Sequence, residues 1–209
     1  MTTTAGSAWA TRHHPHREYA LALERNAAAI RRLVDLTLRV DPAAPLLREV
    51  ADALDDLSAG LEAPTHVTTE QIPNPGWRHD PVSGVENGIS PPLRWEWTSE
   101  DAVEGDVTLG IPYQGPDGIA HGGVSAMILD QVLSAAIPKS NVPVVTARLT
   151  IRFHKPVPLL TPLAVRGRVE RREGRKVFST GEIIAGDTVL VSAEGLFVEK
   201  RLSPEHGVR

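Results

Sequence analysis

The chain has 209 residues, with 22 Lys and Arg against 26 Asp and Glu and a formal net charge of -4. Its hydrophobic share of 41% and charged share of 23% are those of a globular protein, which excludes a disordered, collagen-like or coiled-coil chain. The acidic balance argues against a surface built for phosphate backbones, so we predict no nucleic-acid partner. The absence of Cys excludes disulfides, thiolate nucleophiles and Cys-ligated zinc, and fits a reducing compartment.

Signals for membranes and export are missing from the sequence. No apolar run approaches the ~18 residues that a spanning helix needs, and the N-terminal segment lacks the apolar stretch of a secretory signal. We therefore expect no membrane partner and a cytoplasmic location. An organelle transit peptide stays open as an alternative, because no acidic residue precedes Glu18 while Arg12 and Arg17 are present.

The N-terminal part of the chain is predicted to be a polar tail followed by helices. Residues 1–16 are small, polar and rich in His, without an apolar period, which predicts a disordered tail. His13, His14 and His16 cluster in this tail and are not predicted to bind a metal. Apolar residues then recur at helical spacing on both sides of an Asp-Pro stop, which predicts a helical extension over residues 17–63.

The rest of the chain is predicted to be a linker and one α+β domain. Pro and Gly cluster over residues 64–83, which indicates a linker, and residues 201–209 form a second tail. Residues 84–200 contain two short β-type runs, around 93–97 and 107–111, and one helix over 122–137. Four longer strand segments follow: Val142–His154, Leu163–Arg172, Lys176–Ile184 and Val189–Glu199. Since helical crossovers between strands are missing, we predict an antiparallel sheet.

A glycine turn before the predicted helix is the first candidate site. In the run GIAHGGVSAMILD, the residues His121, Gly122 and Gly123 come directly before apolar helical residues. Free N–H groups at a helix N-terminus can hold an anion or a developing oxyanion, and glycine lets a ligand come close. The structural alternative is that His121 caps the helix and the glycines only form a tight turn.

Asp130 is the second candidate, because it interrupts an apolar helical stretch. A carboxylate there is exposed, paired or functional, since burying it uncompensated costs several kcal/mol. His121 and Asp130 are nine residues apart, which in one helix places them about 180° around the axis and ~13 Å along it. If both serve one reaction, the glycine turn of one protomer must meet Asp130 of another, which predicts a two-fold dimer.

These segments, together with VVTARLTIRFHKPVP and REGRKVFSTGEI, resemble the hotdog-fold acyl-CoA thioesterases. The likeness is to the phenylacetate-pathway type and its animal relatives, and it covers about residues 84–199. Its marks are HGG, an Asp nine residues after the His, a Thr sixteen residues later, and a basic strand ending in Lys-Pro. The resemblance implies a hotdog fold, in which an antiparallel sheet wraps around a central helix, and a homodimer that in many members pairs into a dimer of dimers.

The resemblance also implies roles for individual residues. Asp130 is the general base or nucleophile, the N–H of Gly123 polarises the thioester carbonyl, and His121 and Gly122 shape the turn. Thr146 is the hydroxyl that orients the attacking water. Some relatives carry an Asn before the HGG turn, where this sequence has Gln114-Gly115-Pro116.

The resemblance further implies that a basic group holds the nucleotide end of coenzyme A. Its members are Arg152, His154, Arg175 and Lys176, and Arg is well suited to phosphate. The alternative for the Arg-rich late strands is a solvated sheet face. Coenzyme A is part of the substrate, so no separate cofactor and no metal are expected.

The function that this resemblance implies is hydrolysis of an acyl-CoA to a carboxylic acid and coenzyme A. Two alternatives stay open. A hotdog domain can bind acyl-CoA without catalysis, as a sensor or carrier, and it can also hydrate enoyl thioesters. A carboxylate poised beside the thioester favours hydrolysis over a sensor, and no Asp/His pair suited to hydration is evident.

Overall fold

The computed structural model describes residues 17–41, 45–62, 76–137 and 143–200. The predicted tails, together with His13, His14 and His16, lie outside the described residues. Most of the predicted linker also lies outside them. The division of the chain into tail, extension, linker and domain therefore stays a prediction.

Two helices form the N-terminal extension. Helix α1 spans Arg17–Thr37 and helix α2 spans Leu46–Glu62. Helix α1 buries Ala20 and Ala27, which are seven residues apart and so share one face, whereas no residue of α2 is buried against the described parts of the chain. Within the described ranges, no helix combines the length and apolarity that crossing a bilayer requires.

Six strands form one antiparallel sheet, and a single helix lies against it. The strands are β1 Arg94–Ser99, β2 Ala102–Thr108, β3 Val144–Phe153, β4 Pro162–Glu173, β5 Lys176–Ala185 and β6 Thr188–Glu199. Their order in the sheet is β1-β2-β4-β5-β6-β3. Helix α3, Gly122–Ala135, packs against β3, β4, β5 and β6. The predicted α+β hotdog architecture, with one central helix, is confirmed.

Glycines on three neighbouring strands let α3 approach the sheet closely. A Cβ on Gly167 would lie 2.6 Å from the carbonyl oxygen of Val132, and one on Gly195 would lie 2.8 Å from Leu133 Cδ2. A Cβ on Gly181 would also collide with Leu133. The helix residues that occupy this space are fully buried, and they form the centre of the core. This close contact fixes the position of α3 and therefore of Asp130, which it carries.

A packed loop joins α1 to the sheet domain around a buried arginine. The Arg78 guanidinium donates to Glu86 Oε1 at 2.7 Å and to Glu24 Oε1 on α1 at 2.7 Å. Burial disfavours the charge on Arg78, but the hydrogen bonds to Glu86 and Glu24 outweigh it and raise its pKa above the ordinary value. The side chain of Glu86 is fully buried, and its two carboxylate oxygens lie beside Arg78 and His79.

We expect Arg78→Met to lower the free energy of unfolding by about 3 kcal/mol, because it removes the guanidinium that is paired with the buried Glu86 carboxylate. Denaturant unfolding measures this loss. Arg168→Met is the matched control, since Arg168 pairs with Glu170 at the surface, and a surface pair contributes less than about 1 kcal/mol. Equal losses in the two variants would contradict a special role for the buried cluster.

Candidate functional site

The glycine turn opens helix α3, and His121 is its N-cap. The backbone of His121 is extended, and its imidazole Nδ1 accepts a hydrogen bond from the Gly123 N–H at 3.0 Å. The helix-capping alternative therefore describes what the imidazole does in this structure. Capping also holds the exposed ring of His121 against the turn.

The two glycines of the turn differ in what their N–H groups contact. The Gly123 N–H is bound to His121, so it meets a ligand only after the imidazole moves away. Gly122 is the first residue of the helix, and an N–H at that position has no intrahelical acceptor. The ring of Phe153 lies 3.3 Å from the place that a Cβ on Gly122 would take. The Gly122 N–H is therefore the donor of the turn that is available to a ligand, and it lies beside the Phe153 ring.

Asp130 is joined to Thr146 by a hydrogen bond across the helix–strand boundary. Thr146 Oγ1 donates to Asp130 Oδ1 at 2.9 Å, and Asp130 is half-buried on α3. One carboxylate oxygen is thus held in place by a hydroxyl, which fixes the direction of the carboxylate. The structure brings these two predicted residues together.

A β-bulge accounts for the orientation of Thr146. The pairing of β3 with β6 shifts between Thr146 and Arg148, so Ala147 is an extra residue. Thr146 pairs with Phe197, which is fully buried, and Arg148 pairs with Leu196 on the outer face. Without the bulge, strict alternation would place Thr146 and Arg148 on the same outer face. The bulge turns the threonine hydroxyl toward α3.

The glycine turn and the Asp130–Thr146 pair lie at different levels of α3. His121 caps the helix and Asp130 is nine residues further along it, so they are about 180° and ~13 Å apart. Strand β3 spans both levels, with Thr146 beside Asp130 and Phe153 beside Gly122. One protomer therefore keeps the two parts of the predicted site apart; the glycine turn and the Asp130–Thr146 pair are called half-sites below.

The basic residues of the predicted nucleotide-binding group fall into two places. Arg152 pairs with Ser192, and the His154 imidazole lies 2.8 Å from the Ser192 hydroxyl. Lys176 pairs with Val198, six residues further along β6. At about 3.3 Å per residue these levels are ~20 Å apart. One chain does not bring the four residues together.

Most arginines of the late strands have partners within the sheet. Arg166 pairs with Glu104, Arg168 with Glu170, Arg171 with Glu173 and Arg172 with Glu199. The Arg175 guanidinium donates to the backbone oxygen of Glu199 at 2.6 and 2.9 Å. Thr180 and then Arg168 lower the pKa of Glu170 by hydrogen bonding to it. Within the predicted nucleotide-binding group, neither Arg152 nor Lys176 has an ion-pair partner among the described residues.

The segment before the turn is itself held firmly. Tyr113 donates its hydroxyl to the Ser90 carbonyl at 3.1 Å, and burial raises the pKa of Tyr113, with the charge of Arg31 opposing the shift. Gln114, at the place where some relatives carry Asn, accepts a hydrogen bond from the Gly118 N–H at 3.4 Å. The side chain of Gln114 is therefore engaged with its own loop.

One site residue was not predicted from the sequence. The alternation of β3 places Phe153 on the inner face with Leu149 and Ile151, and this is confirmed. The ring is nevertheless 56% exposed, because it lies at the open end of the strand over Gly122. An inner-face aromatic at the end of an edge strand is the signal that could have identified it.

Comparison with known proteins identifies the family. The sequence model of one protein family, the thioesterase superfamily, matches residues 117–192. The acyl-coenzyme A thioesterase THEM4 of Bos taurus is 36% identical over 99 residues, which are 46% of this chain and 40% of the relative. The Mus musculus THEM4 is 37% identical over 98 residues, 46% of this chain and 41% of the relative. The match thus takes in less than half of either relative's length.

A solved structure matches a larger part of the chain. It is the crystal structure of a thioesterase superfamily protein, 42% identical, with a TM-score of 0.76, and the match covers 84% of this chain and 90% of the other. Residues 84–200 make up only a little more than half of the chain. A match over 84% of the chain therefore also includes residues that precede them. With this identity over most of both chains, the protein belongs to the thioesterase superfamily.

Proposed function

We propose that this protein is an acyl-CoA thioesterase, which hydrolyses the thioester bond to release a carboxylic acid and coenzyme A. The observation that carries the proposal is the 2.9 Å hydrogen bond that orients Asp130 through Thr146. The likeness to the THEM4 acyl-coenzyme A thioesterases supports the substrate class. The half-exposed glycine turn supplies the second element that thioester hydrolysis needs, a donor for the carbonyl oxygen.

Asp130 acts on the attacking water. In the general-base form, the carboxylate takes one proton from water as the water oxygen bonds to the acyl carbon. The C–S bond then breaks, and the coenzyme A thiolate leaves and receives the proton. In the nucleophilic form, Asp130 itself bonds to the acyl carbon, and the C–S bond breaks to release the coenzyme A thiolate. Water then hydrolyses the resulting mixed anhydride, which frees the carboxylic acid and restores the Asp130 carboxylate, and the thiolate takes up the proton that this step releases. Thr146 holds Oδ1 in both forms, which leaves Oδ2 to face the reaction.

The glycine turn stabilises the negative charge that develops on the carbonyl oxygen. The Gly122 N–H, at the positive end of α3, is the donor that needs no rearrangement. The Gly123 N–H becomes a second donor when the imidazole of His121 releases it. Coenzyme A enters as part of the substrate, so this reaction uses no separate cofactor.

A homodimer with shared sites follows from the separation of the two half-sites. Strand β3 lies at an edge of the sheet, and Val145 and Phe153 on it are exposed apolar residues. Antiparallel pairing of β3 with its copy would bring the Phe153 end of one protomer to the Thr146 end of the other. The glycine turn of one protomer would then face Asp130 of its partner.

The same pairing would bring Arg152 of one protomer toward Lys176 of the other. Arg152 lies near one end of β3, and Lys176 is level with the opposite end, two strands away. In an antiparallel dimer, Arg152 of one protomer approaches the level of its partner's Lys176. This is where we place the phosphates of coenzyme A, while the arginines that pair within the sheet belong to its solvated face.

We expect the double variant Arg152→Ala/Lys176→Ala to raise KM for an acyl-CoA about tenfold, because two phosphate contacts are lost. A pantetheine thioester of the same acyl group lacks the nucleotide, so its KM should hardly change. Arg168→Ala is the control, since Arg168 is paired with Glu170. An equal rise for both substrates would dismiss the phosphate role.

Thiol release from a panel of short, long and aromatic acyl-CoAs tests the proposed function. Release from at least one substrate supports hydrolysis and names the acyl class. If no substrate releases thiol while acyl-CoA still binds, the protein is a sensor or carrier. Consumption of an enoyl-CoA without thiol release would instead indicate a hydratase.

A further inference from the structure

Helix α1 contacts the segment that leads into the glycine turn through one carboxylate. Asp35 Oδ1 accepts a hydrogen bond from the Ile111 N–H at 3.1 Å, across 76 positions of sequence. A Cβ on Gly110 would lie 2.6 Å from that same oxygen. The backbone of Gly110 has φ -83° and ψ -176°, which any residue adopts, so glycine is required here for space alone. The Asp35 carboxylate therefore occupies space that a side chain at position 110 would fill.

The amide that Asp35 binds lies at one end of a short rigid segment, and His121 is bound at the other end. Residues Ile111–Tyr113 form a single 3-10 turn, in which the Tyr113 N–H donates to the Gly110 carbonyl at 3.1 Å. The Tyr113 carbonyl accepts the His121 N–H at 2.8 Å. A displacement of Ile111 is thus transmitted to the backbone of His121 through one turn and one hydrogen bond.

The same extension also braces the other half-site. Arg78 joins Glu24 of α1 to the loop that contains Ser83. Within that loop, Ser83 Oγ accepts a hydrogen bond from Gln131 Nε2 at 2.8 Å. Gln131 is the neighbour of Asp130 on α3. The extension therefore contacts the catalytic domain on both sides of the proposed site, and it is a part of the site's support rather than an appendage.

We propose that Asp35 is a positioning residue, which sets the place of the glycine turn by holding Ile111. Its catalytic consequence rests on the proposed function, because the turn supplies the donor for the thioester oxygen. Asp35 contacts no reacting atom. Its effect on turnover therefore passes only through the positions of His121 and Gly122. Unlike a lid, which must move, or a dimer contact, which needs a partner chain, this role depends only on contacts within one protomer.

Amide hydrogen exchange and steady-state kinetics on the full chain test the proposal together. In Asp35→Ala, we expect faster exchange of the Ile111 and His121 amides and a kcat lowered about tenfold, with KM changed less than twofold. Asp35→Asn keeps an oxygen acceptor at Oδ1, so it should restore both readouts. Glu18→Ala, at an exposed carboxylate in the first turn of the same helix, should leave both unchanged.

Gly110→Ala provides an independent variant that leaves Asp35 intact. Its methyl group would displace the carboxylate, so it should reproduce the Asp35→Ala effects, and the double variant should be no worse than either single variant. Unchanged exchange at His121 in Asp35→Ala and Gly110→Ala would overturn the positioning role, and so would faster exchange with an unchanged kcat. A wild type that releases no thiol refutes the proposed function instead, and the exchange results then decide the positioning role alone.

Discussion

Asp130→Asn is expected to lower kcat for acyl-CoA hydrolysis about a thousandfold or more, with the fold intact. Asparagine has the same shape as aspartate, and its amide oxygen still accepts the hydrogen bond that Thr146 Oγ1 donates at 2.9 Å. The variant thus keeps the packing around α3 and loses only the base or nucleophile. Thiol release measured beside the wild type, with the melting temperature of both, checks this result.

Variants of Thr146 should lower kcat by a smaller amount than Asp130→Asn, which gives that experiment a comparison. Thr146→Val keeps the shape of the side chain but removes the hydroxyl, so Asp130 keeps its charge and loses its orientation. We expect a loss of about ten- to a hundredfold in kcat, smaller than that of Asp130→Asn, and recovery in Thr146→Ser. Turnover near the wild-type level in a folded Asp130→Asn protein would refute the mechanism.

The contrast between Thr146 and Asp35 shows how far the sequence alone predicts this molecule. Helix spacing and strand alternation are local patterns, so they predicted α3, the four long strands and the antiparallel sheet. They also placed His121 and Asp130 on one helix. The bulge at Ala147 is not visible in alternation, although it decides which way Thr146 points. Only the spacing shared with a known family singled out that threonine.

Contacts between distant segments account for the rest. Asp35 and Ile111 are 76 positions apart, and nothing in the pattern of α1 distinguishes Asp35 from its other acidic residues. The basic residues show the reverse problem. They cluster in the sequence around Arg175, but the fold distributes them over several strands and pairs most of them with acids. Counting arginines along the chain therefore overestimates the charge that a ligand meets.

The geometry of α3 leads to the second large effect. One chain holds its glycine turn and its Asp130 about 180° apart around the helix, so neither protomer of the proposed dimer has a complete site. Each site of the dimer then takes its oxyanion donor from one chain and its carboxylate from the other. Damage to the turn and damage to the carboxylate should therefore complement each other when they reside on different chains.

We expect a mixture of two inactive variants, Asp130→Asn and Gly122→Val, to recover about a quarter of the wild-type activity after the subunits exchange. The valine side chain would press into the Phe153 ring, which lies 3.3 Å from a Cβ at that position, and would block the turn. Random exchange makes about half of the dimers mixed, and each mixed dimer has one undamaged site out of two. Thiol release before and after subunit exchange measures the recovery, and the double variant on one chain, mixed with wild type, is the control. Sites confined to single protomers would show no recovery in a mixture whose dimers have demonstrably exchanged.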